Sequence, residues 1–194
     1  MVLSIPIQKA ARILRQGGVV AYPTEGVFGL GCLPQNGDAA ERILAIKQRN
    51  SSMGLILIAS ALEQLEPWAI LPERRARLDS AALRPVTWVL PAKPDVPPWI
   101  RGKHRGVAVR ITKHPTAAAL CNAAGSALVS TSANVSGQAP ARNRFVLRRR
   151  LGRLVDYVVP GECGPAAGAS EIRDFASGKV LRAGGQAIED SSRR

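Results

Sequence analysis

Apolar residues recur along the chain at two spacings, one typical of helices and one typical of strands. The first helix is predicted from apolar positions three and four residues apart, which are Ile7, Ala10, Ala11 and Leu14. Ser4 precedes this face as a candidate cap, and Gly17 and Gly18 end it. A short apolar run at residues 19–22 predicts a strand. The glycine-rich residues 26–31 predict a second strand or a bulged loop where the backbone approaches a neighbour closely.

Later helices are predicted from start signals in the sequence. These starts are Asp38 with Glu41 and Ser60 with Glu63, both at the spacing of a capping box, and the prolines Pro72 and Pro115. The first of these helices ends near Arg49, the third runs through Leu83, and Gly125 closes the last.

The remaining apolar runs predict strands, and the order of the elements predicts the fold class. The strands are expected at residues 55–58, 86–90, 107–111, 127–129, 155–159 and 179–181. A polar loop, residues 130–137, is expected directly after the fourth of them. Helices and strands interleave, which favours an α/β fold with a twisted, open, mixed sheet and flanking helices. Residues 1–184 are predicted to form a single domain, followed by a flexible tail at 185–194.

Composition narrows the classes of protein that remain. The chain has 194 residues, of which 46% are apolar, enough for one substantial core. Neither a leader sequence nor an apolar run of about 20 residues is present, so we expect a cytoplasmic protein without membrane contact. Cys32, Cys121 and Cys163 are widely spaced, which argues against a disulfide framework or a zinc pair.

Charge points to partners that carry phosphate. The formal net charge is +13, from 27 Lys and Arg against 14 Asp and Glu. Such an excess favours nucleotides or RNA as partners. Aromatic residues make up only 4% of the chain, which leaves little for stacking single-stranded bases. This weakens the alternative of a non-catalytic RNA-binding or ribosome-maturation factor without excluding it.

Three places combine groups that bind anions. Lys47 and Arg49 lie at the end of the predicted second helix, where cations also offset the helix dipole without any ligand; there we expect Lys47→Ala to leave the fold intact. Residues 130–137 offer five hydroxyl or amide side chains, although such groups often satisfy their own backbone. Arg110 lies on an alternating strand, where a guanidinium needs a partner such as a carboxylate or a phosphate.

A second basic run lies further along the chain. Residues 142–153 contain no acidic residue and hold the arginines Arg142, Arg144, Arg148, Arg149, Arg150 and Arg153. The run suits contact with RNA phosphates, and a solvated helix face explains it equally well.

Standard catalytic and nucleotide motifs are missing from the sequence. There is no glycine-rich phosphate loop ending in Gly-Lys-Ser or Gly-Lys-Thr, and no dinucleotide fingerprint follows the first strand. His104 and His114 are too far apart in sequence for a local metal motif, and no cysteine pairs locally with a histidine. Clustered cations and neutral donors instead suit a reaction run by positioning and charge neutralisation, such as nucleotidyl transfer. Mg²⁺ would arrive with the nucleotide.

Several motifs, in order and spacing, closely resemble the YrdC/TsaC family. They are PTEGVFGLG at residues 23–31, KQR at 47–49, GLILI at 54–58, VRITKHP at 109–115, STSANVSG at 130–137, VPG at 159–161, SEIRD at 170–174 and LRAG at 181–184. The resemblance is to the short bacterial form. It implies a twisted open α/β sheet with a basic concave groove.

The resemblance also implies an activity, threonylcarbamoyl-AMP synthase. L-threonine and bicarbonate would form a carbamate that attacks the α-phosphate of ATP and expels pyrophosphate. A tRNA-threonylcarbamoyl transferase complex would then move the threonylcarbamoyl group to the adenosine beside the anticodon, in tRNAs that read codons starting with A. A carbamoyl-transfer enzyme, like the related modules of hydrogenase-maturation proteins, is a second alternative.

The family's functional residues map onto nine positions of this sequence. By resemblance, the ATP site comprises Lys47, Arg49, Ser132, Asn134 and Arg182, with charge stabilisation by Lys47 and Arg49 and no acid or base. The threonine pocket comprises Thr24, Arg110, Ser130 and Ser170, and no protein side chain is expected to bind a metal. Departures from the family pattern are Asn50 where proline is usual, Met53 where short bacterial members often carry lysine, Ala82-Leu83-Arg84-Pro85 in place of Trp-Pro-Gly-Pro, and Ala183 in place of proline.

Overall fold

The structure is a computed structural model that describes residues 4–73, 75–78, 85–166 and 168–185. The helices of this part are α1 Ile5–Arg15, α2 Gly37–Lys47, α3 Pro98–Arg101, α4 Pro115–Ala124 and α5 Arg144–Leu151. The strands are β1 Val20–Pro23, β2 Phe28–Gly31, β3 Ile56–Ala59, β4 Val86–Pro91, β5 Gly106–Ile111, β6 Leu128–Ser132, β7 Tyr157–Val158, β8 Glu171–Asp174 and β9 Val180–Arg182. Short 3-10 turns occupy Ser51–Met53, Leu62–Leu65 and Arg75–Arg77.

The described strands join into one mixed, twisted sheet in the order β7-β1-β2-β6-β3-β5-β4-β8-β9. Strands β1 and β2 form an antiparallel hairpin, and β2 then pairs antiparallel with β6 from about 100 residues further along. Strand β3 lies between β6, which is antiparallel to it, and β5, which is parallel. The predicted α/β class with a mixed sheet is therefore confirmed.

Both faces of the sheet are covered, which explains the continuous apolar runs in its strands. Val20 and Tyr22 of β1 pack in a cluster with Leu14 of α1 and Leu120 of α4. Ala21, which points to the opposite face, packs in a second cluster that includes residues of α2 and α5. A strand that is buried on both sides needs apolar residues at every position rather than at alternate ones.

Two of the predicted caps are wrong because other side chains hold the helix ends. The side chain of Asn36, not Asp38, accepts a hydrogen bond from the Ala39 N–H at 2.9 Å and caps α2. The hydroxyl and backbone N–H of Ser60 both donate to Gln64, so the predicted capping box with Glu63 does not form. Only the 3-10 turn at Leu62–Leu65 follows.

Three other elements differ from the sequence-based expectation. The helix predicted from Pro72 is a 3-10 turn at Arg75–Arg77 in the described part, and its predicted end at Leu83 lies outside the described residues. Strand β6 continues through Ser132, so the first three residues of the predicted polar loop belong to the sheet. Strand β8 was not predicted, because its four residues, all half-buried, lack an apolar alternation.

Among the described residues, no helix has the length and the apolar character required to span a membrane. The predicted tail lies outside the described residues except for its first residue.

Candidate active site

Seven of the nine predicted site residues line one cleft that is open to solvent. These residues are Thr24, Arg49, Arg110, Ser130, Ser132, Ser170 and Arg182. They come from β5, β6, β9 and the loops beside them, so the sheet brings together groups that are up to 158 residues apart in sequence. Lys47 and Asn134 do not line this cleft. Lys47 donates a hydrogen bond to the Ser132 carbonyl, and Asn134 follows Ser132 by two residues in the chain.

Strand register explains why these groups meet. In the antiparallel pair of β3 and β6, Ile56 lies opposite Ser130. In the parallel pair of β3 and β5, Ile58 lies opposite Arg110. Two short strands on either side of β3 therefore place a hydroxyl and a guanidinium on the same wall.

Glycine is required where the cleft floor is tightest. A Cβ at Gly29 would lie 3.2 Å from Ser130 Oγ and 3.3 Å from Thr24 Cγ2, so a side chain there would crowd both hydroxyl residues. A Cβ at Gly26 would lie 2.5 Å from the carbonyl oxygen of Ala166, a backbone atom that cannot turn aside. The close backbone approach predicted for residues 26–31 is thus confirmed, and it brings the 168–170 segment over the cleft.

Two hydroxyl groups of the cleft are held by hydrogen bonds. Thr24 Oγ1 donates to the Val27 carbonyl at 2.7 Å, which leaves its lone pairs as acceptors. Ser170 Oγ lies 2.7 Å from Thr87 Oγ1 in a buried pair. Fixed hydroxyls of this kind recognise a ligand without first losing rotamer freedom.

Arg110, the predicted clamp, faces a carboxylate that the sequence-based assignment missed. Its Nη2 lies 3.3 Å from Glu25 Oε2, in an ion pair whose side chains are only 10% and 16% exposed. The geometry is not that of a hydrogen bond, since neither Glu25 Oε2 nor Arg110 Nε has a hydrogen-bond partner within the described part of the chain, although both atoms are buried. Arg110 is therefore charge-compensated in part but keeps unused donor capacity.

Glu25 is anchored through its other oxygen. Oε1 accepts from Thr112 Oγ1 at 2.7 Å and from the Lys113 N–H at 3.1 Å. Burial alone would raise the pKa of this carboxyl, but the charge of Arg110 and the bond from Thr112 outweigh it and lower the pKa overall. Glu25 is thus ionised at neutral pH.

Lys47 is buried, and its ammonium group donates hydrogen bonds to other groups of the protein. Its Nζ donates to the Ser132 carbonyl at 2.6 Å and to the carbonyl and side-chain oxygens of Asn134 at 3.1 and 3.2 Å. Only 3% of the residue is exposed, and burial together with the nearby charge of Arg49 lowers its pKa to about 8. In contrast to the expectation from the sequence, we expect truncation of Lys47 to destabilise the fold, because three part-buried acceptors would lose their donor.

The end of the predicted polar loop has a structural role. Asn134 Nδ2 donates to the carbonyls of Val135 and Gln138 at 2.9 and 2.7 Å. Ser136 donates from Oγ and from its backbone N–H to the Lys47 carbonyl, at 2.8 and 2.9 Å, and so holds the end of α2. The alternative that this loop satisfies its own backbone holds for Asn134, whereas Ser136 binds the end of α2 and Ser130 and Ser132 face the cleft.

Two further arginines make the cleft strongly cationic. Arg49 Nη2 donates to the Gly54 carbonyl at 3.1 Å, and Arg182 Nη2 donates to the Ser170 carbonyl at 2.9 Å. Burial lowers the pKa of both, and for Arg182 the charges of Arg49 and Arg110 lower it further. Much of Arg182 stays exposed, which screens this repulsion. An anion in the cleft would relieve it.

A second hollow adjoins the cleft and shares Arg49, Ile56 and Arg182 with it. Its further walls are mainly apolar and include Met53 and Ile172, with Arg101 and His104 as polar members. The two arginines therefore lie where a polar, cationic space joins an apolar one. This arrangement suits a ligand that has both an anionic and a flat apolar part.

A comparison with protein-family models identifies the family of this chain. The Sua5/YciO/YrdC family model, whose description is telomere recombination, matches residues 12–184. The chain belongs to the Sua5/YciO/YrdC family.

Individual relatives in the Sua5/YciO/YrdC family are similar over most of the chain. A threonylcarbamoyl-AMP synthase of Nitrosococcus oceani is 53% identical over 179 residues, which are 91% of this chain and 96% of that protein. A protein of the same name from Halorhodospira halophila is 51% identical, over 91% of this chain and 93% of its own. The crystal structure of P. abyssi Sua5 complexed with L-threonine superposes with a TM-score of 0.84 at 31% identity. That match covers 94% of this chain and 55% of the Sua5 chain, so this chain spans about half of the Sua5 protein.

Two departures from the Sua5/YciO/YrdC family pattern can be placed in the structure. Asn50, where the family usually has proline, has a φ of −68°, a value that proline also adopts. Its side chain accepts from the Ser52 N–H at 2.8 Å and starts the 3-10 turn. Met53, where short relatives often carry lysine, is 60% exposed at the second hollow, which therefore lacks that cation. Most of the 82–85 departure lies outside the described residues.

The basic run at residues 142–153 is separate from the cleft. Five of its arginines lie on or just after α5, and all six are exposed. Arg150 donates to the Ala139 carbonyl at 2.9 Å, and Phe145 is 74% exposed among them. The run forms an exposed helix face in this structure, an arrangement that suits either of the two sequence-based interpretations.

Proposed function

We propose that this chain is a threonylcarbamoyl-AMP synthase, which makes L-threonylcarbamoyladenylate and pyrophosphate from L-threonine, bicarbonate and ATP. The observation that carries the proposal is a single cleft with fixed hydroxyls and a buried arginine at one end and two arginines beside an apolar hollow at the other. The two named bacterial relatives, at 51% and 53% identity, support the same activity.

Threonine would occupy the end of the cleft that contains Arg110. A guanidinium with unused donors suits the amino-acid carboxylate, and it can bind both oxygens at once. The hydroxyls of Thr24, Ser130 and Ser170 surround the same space and suit the polar groups of threonine. A P. abyssi relative whose structure was determined with L-threonine supports this class of substrate.

ATP would occupy the end that contains Arg49 and Arg182. Both guanidiniums have pKa values lowered by burial, and an anionic triphosphate would offset that penalty. The adjoining apolar hollow suits the base. Ser132 lies between this end and the threonine end, while Lys47 and Asn134 act indirectly, by fixing the backbone at the end of β6.

The reaction would proceed by positioning and charge neutralisation. Bicarbonate and the amino group of threonine form a carbamate with loss of water. A carbamate oxygen then attacks the α-phosphorus, the bond to the bridging oxygen breaks, and pyrophosphate leaves with that electron pair. Arg49 and Arg182 would stabilise the charge that accumulates on the phosphates, and no side chain is assigned as acid or base.

Magnesium, partners and location belong to the same proposal. The described residues contain no group of three or more His, Cys, Asp or Glu side chains that could hold a metal ion, so Mg²⁺ would be held by the phosphates of ATP. The product would pass to a tRNA-threonylcarbamoyl transferase complex. The exposed arginines of α5 offer a surface for RNA phosphates, and a cytoplasmic location remains a prediction.

The test is pyrophosphate release from ATP by purified protein, with L-threonine or bicarbonate omitted in turn. We expect release only when both are present, and a loss of at least about a hundredfold in kcat/KM for threonine in Arg110→Met. Arg148→Met, on the exposed face of α5, is the matched control and should behave as wild type. Release that is independent of threonine would refute the proposed activity.

A further inference from the structure

Among the described residues that line the cleft, Glu25 supplies the one anionic group, between cationic walls. Glu25 lines the cleft beside Thr24 and Arg110. Its Oε1 is engaged by Thr112 and Lys113, while its Oε2 is buried and has no hydrogen-bond partner among the described residues. An unpaired buried carboxylate oxygen is unfavourable, and it marks a place where a donor is missing.

A purely structural role would not require this arrangement. The bonds to Oε1 tie the 24–27 loop to the end of β5, and an uncharged amide would accept both of them equally well. The negative charge is used only towards Arg110, and there the geometry falls short of a hydrogen bond. Each member of the pair thus keeps a free group, an acceptor on Glu25 and an Nε–H donor on Arg110.

These two free groups match the two charged ends of an amino acid. We propose that Glu25 binds the amino nitrogen of the substrate while Arg110 binds its carboxylate, so that the cleft selects a zwitterion. This assignment rests on the proposed function and names a residue that recognises the substrate in that same site.

The charge balance favours an amino acid over other carboxylates. A zwitterion replaces one weak contact between Glu25 and Arg110 with two complementary ones, and the four charges sum to zero. A carboxylate that lacks the ammonium group would bring a second negative charge beside Glu25 and deny Oε2 a charged donor. A missing charged hydrogen bond in a buried site reduces affinity by about tenfold to a hundredfold.

The same contact can persist after the amine becomes a carbamate. The carbamate nitrogen keeps one hydrogen, so it still donates a hydrogen bond to Oε2. The ammonium group releases one proton to solvent before the neutral amine reacts with bicarbonate, and Glu25 transfers no proton in this assignment. It orients the nitrogen so that the new carboxylate extends towards Arg49 and Arg182 at the other end of the cleft.

The test compares the binding of L-threonine with that of 2,3-dihydroxybutanoate of matching configuration, in which a hydroxyl replaces the ammonium group. Both are titrated by calorimetry into wild type, Glu25→Gln and the control Glu41→Gln, an exposed glutamate on α2. We expect wild type and the control to prefer threonine by at least about tenfold. Glu25→Gln, which keeps an acceptor for Thr112 and Lys113, should lower that preference to about threefold or less, mainly by weakening threonine.

Other outcomes overturn the assignment. If Glu25→Gln weakens both ligands equally and keeps the wild-type preference, Glu25 only positions Arg110. Equal affinity of wild type for the two ligands refutes the assignment without any variant, so a failure of Glu25→Gln to fold does not block the test. Threonine-dependent pyrophosphate release by wild type, measured on the same preparation, separates these results from a failure of the proposed function.

Discussion

Lys47→Met is the substitution whose effect on stability follows most directly from the structure. Methionine keeps most of the buried stem of Lys47 and removes the ammonium group. Three acceptors would then lack their donor, the carbonyl oxygens of Ser132 and Asn134 and the side-chain oxygen of Asn134. The end of α2 and the end of β6 would lose their main polar link.

The magnitude follows from two opposing contributions. Hydrogen bonds from a charged donor contribute about 1.5–3 kcal/mol each, or roughly 5–9 kcal/mol for three. Burying the ammonium opposes this, because a pKa lowered from 10.5 to about 8 corresponds to roughly 3 kcal/mol against the charged form. The expected net loss in the free energy of unfolding is therefore about 2–6 kcal/mol.

The assay is urea unfolding at neutral pH, with Lys103→Met as the matched control. Lys103 is exposed, and its control variant should stay within about 0.5 kcal/mol of wild type. A stability of Lys47→Met equal to that of the control would refute the role assigned to Nζ. Lys47 would then be an unconstrained cation at a helix end.

Three further predictions test other parts of the structure. Since the pKa of Lys47 is lowered to about 8, its ammonium group loses a proton as pH rises through that value, and kcat/KM for ATP should fall there. A pH profile of kcat/KM that stays flat to about pH 10 would contradict this. Asp156→Ala breaks the ion pair with Arg42 at 2.9 Å and should lower the free energy of unfolding by about 1 kcal/mol near neutral pH. Because the pKa of Asp156 is lowered, that loss should shrink in urea melts as pH falls through the folded-state value. Gly26→Ala places a Cβ 2.5 Å from the Ala166 oxygen and should raise KM for threonine severalfold in the pyrophosphate assay.

Individual strands were predictable where the burial of apolar side chains alone determines them. The apolar run at residues 19–22 and the alternation at 107–111 correspond to β1 and β5. The cap of α2 was less predictable, since Asn36 and Asp38 are both residue types that start helices. The choice of Asn36 depends on where the backbone changes from extended to helical, which the residue types alone do not determine. The sheet order was out of reach, because β2 pairs with β6 through contacts that no local pattern encodes.

Membership of the cleft was predictable, but the roles of its residues were only partly so. Of the nine residues that the motif resemblance assigned to the site, seven line the cleft, including Arg110. It could not show that Lys47 and Asn134 direct their polar groups into the protein, because that depends on how α2 meets β6. Glu25 stands in the first quoted motif, yet its proximity to Arg110 appears only when the 24–27 loop folds over β5.

The most direct test of the proposed activity is mass spectrometry of the product. Purified protein is incubated with ATP, L-threonine and carbon-13 bicarbonate, and the mixture is analysed for L-threonylcarbamoyladenylate. We predict a product that carries the label in its carbamate carbon and is absent when any one substrate is omitted. Pyrophosphate and AMP without this labelled adenylate would contradict the account.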